Sequence, residues 1–205
     1  MNSPRLSAVR AGALVALAFA VPAVGAAAQD ARLAAQLDAG TEQRVSAVIE
    51  RARAASLPVE PLVDKALEGA RKRAPAPRIV EAVTGLAARL ESSRVALGMA
   101  STEAELVAAA AALQAGVGPR VLSQLRQARA GKSLAVPLVV LGDLVSRGVP
   151  HDTASALILL VAHEGLGDET LLAIQRDVQR DVRDGAHPAT AAAIRARGAV
   201  SGAST

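Results

Sequence analysis

The chain of 205 residues contains no cysteine, no tryptophan and no tyrosine, and its one phenylalanine, Phe19, lies near the start. Without thiols there is no disulfide, no thiolate nucleophile, no iron–sulfur cluster and no covalently attached haem. Without rings beyond Phe19 there is no stacking platform for bases or sugars, no aromatic cage for a quaternary amine and no tyrosine chemistry. Long apolar runs are scarce too. After residue 28 runs such as Ala156 to Ala162 and Leu106 to Leu113 fall far short of the ~20 residues that span a bilayer. Strand signals are missing as well: no sustained period-2 alternation occurs, and no Asn-Gly or Asp-Gly turn joins two alternating segments. Stability must therefore come from burying Leu, Val, Ile and Ala in helices, and one core of this length needs no covalent staple.

What is present begins with an export signal. Arg5 and Arg10 form a short positive segment, Ala11 to Val21 an apolar one, Pro22 a break, and Ala26-Ala27-Ala28 a small-residue exit. That order is what a signal peptidase reads, with cleavage before Gln29. A retained membrane anchor is the competing reading; the alanine-rich segment and the well-placed exit favour cleavage. There is no twin arginine and no lipoprotein cysteine, so the route is Sec-type and the destination periplasmic or secreted. The expected organisation is a signal peptide over 1–28, a single all-α domain over 29–200 and a disordered tail over 201–205.

Cleavage also lowers the charge. The formal net charge of +4 and pI near 10.5 include Arg5 and Arg10; without them the balance is close to neutral, which is no nucleic-acid signature. Only Lys65, Lys72 and Lys132 are lysines. With abundant Ala, Gly, Val and Pro, this arginine bias points to a GC-rich bacterial genome.

Glycines at 40, 69, 98, 116, 131, 148, 165, 185 and 198 divide the chain into segments of helical period, and most sit where a pattern stops. Thr41 is positioned to cap a helix with Val45, Val48, Ile49 and Ala52 on one face. Pro58 and Pro61 suit the first turn of a second. Pro75 and Pro77 precede a longer helix with Ile79, Val83, Leu86, Leu90 and Leu97, interrupted by Gly85. Thr102 and Glu105 form a capping box. Pro119 opens the next helix, and Ser133 is placed to cap the helix of Leu138, Leu141 and Leu144. Pro150 starts another built on Ala154, Leu157, Ile158 and Val161. Asp168 is placed to cap the helix of Leu171, Ile174 and Val178, and Pro188 starts a short last one ending near Arg197. Pro-Leu-Val occurs at residues 61–63 and 137–139, each followed by a proline that opens another helix. The pattern reads as short amphipathic helices stacked as helical hairpins, in an α-solenoid-like array or a compact bundle.

Few side chains suggest chemistry. His163, Glu164, Asp168 and Glu169 bring one imidazole and three carboxylates together, so a metal site or general base centred on His163, Glu164 and Asp168 is the catalytic alternative. No His-Glu-x-x-His spacing supports it, and capping chemistry explains the acids equally well. His151 falls about 18 Å from His163 along one helix at 1.5 Å per residue. His187-Pro188 reads as a turn. Ser155, His163 and Asp143 supply the residue types of a triad without a nucleophile elbow. Gly116-Val117-Gly118 has no leading strand, and Lys132-Ser133 lacks a phosphate-loop glycine pattern.

Two charged surfaces remain. Arg71, Lys72, Arg73 and Arg78 form the densest basic cluster, suited either to an anionic membrane or envelope polymer or to the end of a helix dipole. Arg176, Arg180 and Arg183 run beside Asp177, Asp181 and Asp184, sorting signs into adjacent stripes that suit a protein partner, self-association or simple solvation. The expectation is an exported, non-catalytic helical protein with no cofactor, acting as a protein-interaction or structural module of the bacterial cell envelope. Intact-mass measurement of the exported protein is expected to show the first 28 residues removed; a full-length species resisting carbonate extraction from membranes would contradict this.

Overall fold

The computed structural model describes residues 31–203. The signal segment over 1–28, and Ser204 and Thr205 of the expected tail, lie outside these residues. After a helical segment at 31–34, nine helices follow among the described residues. They are α1 (Ala39–Ala54), α2 (Glu60–Arg71), α3 (Ala76–Leu97), α4 (Glu103–Gln114), α5 (Pro119–Ala128), α6 (Ala135–Ser146), α7 (His151–His163), α8 (Asp168–Arg183) and α9 (Pro188–Ala203). Among the same residues there is no strand. The fold is all-α.

The helices form two rows. In the first, α1 packs on α3, α3 on α5, α5 on α7 and α7 on α9; in the second, α4 packs on α6 and α6 on α8. Contacts between α3 and α4, α6 and α7, and α8 and α9 join the rows, and α2 rests on α3. Each hairpin buries its apolar stripe against the next, which is the construction of a stacked helical array. The two Pro-Leu-Val segments fall in the first turns of α2 and α6, and the prolines that follow them, Pro75 and Pro150, are the N-caps of first-row helices α3 and α7.

Helix termination is nearly uniform. At six junctions the chain turns through a left-handed residue and the next N–H reaches back to close the last turn. Leu57 bonds the carbonyl of Ala52, Ala74 that of Gly69, Val117 that of Ala112, Val149 that of Leu144, Leu166 that of Val161 and Ala186 that of Asp181, at 2.8–3.1 Å. Four of these turns use glycine (116, 148, 165, 185), but Ser56 and Arg73 hold positive φ in the other two. Gly40, Gly69 and Gly198, expected to mark helix ends, lie inside α1, α2 and α9, where they adopt ordinary helical φ; α3 likewise runs unbroken through Gly85.

Three expected caps differ. Asp38 is the N-cap of α1, accepting from the Thr41 N–H at 3.0 Å and from its hydroxyl at 2.6 Å, so Thr41 is a buried residue of the first turn. Leu134 occupies the N-cap of α6, and the Ser133 hydroxyl accepts from the Ala135 N–H alongside it. Gly167 is the N-cap of α8, and Asp168 is its first residue. The last helix runs past Arg197 to Ala203, so 201–203 are helical. This last helix buries Ala191, Ala192 and Ala196 against its neighbours, so packing rather than bulky residues or local propensity carries it through Gly198 and Gly202.

Two cores meet inside the array. Val45, Ile49, Leu62, Ile79, Val83 and Leu90 pack with Leu106 and Ala110; Leu122, Leu138, Leu141, Ile158, Leu171 and Val178 pack with Ala108, Ala109 and Ala112. Helix α4 therefore contributes to both, which is why its sequence shows no clean apolar stripe. Alanine suits it because two helix neighbours approach it closely. Leu141 is fully buried and Leu157 is 3% exposed. Leu141→Ala or Leu157→Ala is expected to cost about 2–5 kcal/mol in urea unfolding followed by far-UV circular dichroism; a cost below about 0.5 kcal/mol at both would contradict this packing.

Candidate functional site

The charged stripes of α8 face in different directions. Arg176, Arg180 and Arg183 are exposed, whereas Asp177 and Asp181 are half-buried and turn towards α9. There Arg195 clasps Asp181 through Nε and Nη2 at 2.8 and 2.7 Å, and its Nη1 reaches Asp177 at 3.8 Å. The Arg195 guanidinium holds the Asp181 carboxyl below its ordinary range, and Arg195 is raised in return. Arg180 pairs with Asp177 at 3.0 Å, Arg183 bonds the carbonyl of Gln179, and Asp184 is the exposed C-cap of α8. The aspartates thus join α8 to α9, and arginines dominate what α8 offers outward. Arg195 carried no signal in the sequence because it lies 14 residues beyond Asp181, in a helix whose role was not legible.

The basic cluster surrounds the α2–α3 turn. Arg71 ends α2, Lys72 is its C-cap, Arg73 takes the left-handed position and Arg78 lies in the first turn of α3; all four are exposed. Lys72 and Lys65 both pair with Glu68, whose carboxyl they lower to about 2.

The residues proposed as a metal or base site do not converge. His163 ends α7 and is exposed beside Glu164. Asp168 turns instead to Arg129, meeting it at 2.7 Å as an ion pair without hydrogen-bond alignment. Among the described residues no three His, Asp or Glu side chains gather as metal ligands. Ser155 is buried two turns before His163, while Asp143 accepts from Arg147 and Gln179, so these three form no triad. His151 begins the helix that His163 ends.

The one buried carboxylate among the described residues is Glu105, 2% exposed. The Thr102 hydroxyl accepts from the Glu105 N–H, and the Glu105 carboxylate accepts from the Thr102 N–H at 2.9 Å, completing the expected capping box. The same carboxylate accepts from the Leu134 N–H at 2.7 Å and pairs with Arg126 of α5 at 3.0 Å. Burial alone would raise its pKa, but the two N–H groups and the Arg126 guanidinium together hold it below the ordinary value. Arg94 plays a related part, bonding the carbonyls of Met99 and Ser101 and, across 38 residues of chain, that of Ser56.

Open grooves run between helices. One of about 640 Å³ lies between α8 and α9, bordered by Arg176 and Ile194. Another of about 670 Å³ lies between α4 and α6, with Ala108, Ala111, Ala115 and Gly142 among its lining residues. Val107, Val139 and Leu172, on the second row, are 37%, 56% and 39% exposed. In comparisons with known proteins, the chain matches no family, no curated protein and no solved structure.

Removal of the Glu105 carboxylate leaves Arg126 without its buried acid partner and frees two N–H groups. Glu105→Ala is expected to cost about 3–5 kcal/mol at neutral pH. Because the folded-state pKa is depressed, the stabilisation is fully present above the unfolded value near 4.5 and lost as pH falls through the folded value. The difference between wild type and variant should therefore shrink in acid; urea unfolding across pH checks it, and a difference that grows on acidification would contradict it.

Proposed function

We propose that the protein is an exported, non-catalytic helical array that serves as a protein-interaction or structural module of the bacterial cell envelope. The observation that carries the reading is the disposition of its charges and apolar side chains. Asp168 and Asp143, acids of the catalytic alternatives, and also Glu105 and Asp181 each engage a cation or amide of another helix or turn and so hold the array together. Exposed apolar residues are spread over both rows, at Val95 and Ile194 on the first and at Val107, Val139 and Leu172 on the second, where a catalytic cleft would concentrate them in one pocket. Export is supported by the charged, apolar and small-residue order of residues 1–28.

The basic turn favours a second reading. Arg71, Arg73 and Arg78 are exposed together, and only Lys72 of the four forms an ion pair with Glu68. A peripheral contact with an anionic membrane or envelope polymer would use these residues and weaken sharply with salt.

The primary reading is tested by cross-linking in intact cells followed by identification of co-purified proteins, with calorimetric zinc titration of the metal-free protein alongside. A reproducible envelope protein partner and no His163-dependent zinc binding are expected. Micromolar zinc binding lost in His163→Ala, with no protein captured, would contradict it in favour of a metal-binding or enzymatic role.

A further inference from the structure

Helices α4, α6 and α8 share a register that defines a surface. They begin at Glu103, Ala135 and Asp168, so Val107, Val139 and Leu172 are each the fifth residue of a second-row helix. All three are exposed to 37–56%, although the residues on the opposite faces of these helices fill the core. With neighbouring axes about 8–10 Å apart, three side chains at one register form a line roughly 20 Å long across the row. The α4–α6 groove lies beside the middle of that line, next to Val139.

Two observations indicate what covers it. The first is Gly142, in the interior of α6, where glycine costs about 1 kcal/mol relative to alanine. A methyl group built there meets nothing within 4 Å, so no contact inside the protein requires the glycine. The space opens into the groove. The second is the charge at the two borders of the line. Towards the helix C-termini stand Arg176, Arg180 and Arg183, all exposed, while Asp143 is held by Arg147 and Gln179. Towards the N-termini stand the exposed Glu103 and Glu169.

We infer that this face of α4, α6 and α8 docks a segment of another protein whose apolar side chains lie against Val107, Val139 and Leu172 and whose carboxylates line one edge, facing the arginines of α8. The inference rests on the proposed interaction role and names the surface that performs it. A protein segment fits better than a lipid surface, because Glu103 and Glu169 would repel a uniformly anionic membrane along the opposite border. A segment with acids on one edge avoids them. A second copy of this chain fits poorly: Asp177 and Asp181, the acids that an antiparallel α8 would present, are already held by Arg195.

The test is site-specific photo-cross-linking in the cells that make the protein. A benzophenone amino acid replaces Val139 in one variant and the first-row Val95, 82% exposed, in another; captured peptides are then sequenced. Val139 is expected to capture an apolar segment bordered by Asp or Glu. Gly142→Leu, which fills the groove, and the triple variant Arg176→Glu, Arg180→Glu, Arg183→Glu should each cut that yield about tenfold, equivalent to about 1.4 kcal/mol of binding. Circular dichroism and urea unfolding verify that both stay folded, since Arg180 also pairs with Asp177 within α8. Capture at Val95 with none at Val139 would overturn this surface while leaving the interaction role standing. Capture at neither site would overturn both. Capture at Val139 of lipid, of this chain itself or of a basic segment, or a yield indifferent to both variants, would also overturn the assignment.

Discussion

The Glu105 carboxylate is held among three separate stretches of chain, and the continuity of the array depends on that arrangement. It closes the N-terminus of α4, accepts the N–H that starts α6 and pairs with the guanidinium of α5. These segments otherwise meet through aliphatic side chains without directional contacts. A buried charge is costly unless its hydrogen-bonding capacity is filled; here the cost is offset by two amides and an arginine, all at fixed distances. Apolar packing makes α4 adhere to its neighbours, but its alanines permit many sliding registers. The carboxylate selects one. Because Leu106 and Ala110 face one core while Ala108, Ala109 and Ala112 face the other, fixing α4 also fixes the two cores relative to each other.

The same logic recurs along the chain. Arg94 reaches back to Ser56 and joins the first turn of the array to the turn before α4. Arg129 meets Asp168 between the end of α5 and the start of α8. Asp143 accepts from Gln179, tying α6 to α8, and Arg195 ties α9 to α8. A helical array with no aromatic side chain among its described residues and no disulfide has little bulk with which to specify how one helix sits on the next. Directional polar ties supply that specification, and they draw on the same residues that a reader of the sequence would nominate for chemistry.

This explains what was legible in the sequence and what was not. Helix identity followed from local rules: the Thr102–Glu105 box, Pro119, and the stripes of α1 and α7 act within a few residues of themselves. So did the glycines that end helices, since a left-handed turn needs little else. Gly40, Gly69 and Gly198 break that rule; at Gly69 the reason is packing, because a Cβ there would meet Ile79 of α3 at 2.9 Å. Asp168 looked like a cap because a helix start wants an acid; its partner, Arg129, is 39 positions away and leaves no local trace. The α8 stripes were visible, but which of them faces α9 depends on Arg195. The exposed row of Val107, Val139 and Leu172 becomes apparent only when the three helices are aligned by their starts.

The two cores are expected to unfold as one body because Glu105 binds α4 in a single register. Methyl NMR during urea unfolding reads this directly, with Leu62 and Val63 reporting on the first core and Leu141 and Ile158 on the second. Coincident transitions in the wild type, separating into two in Glu105→Ala, are the predicted result. Two separate transitions in the wild type, or coincidence that survives loss of the carboxylate, would contradict it.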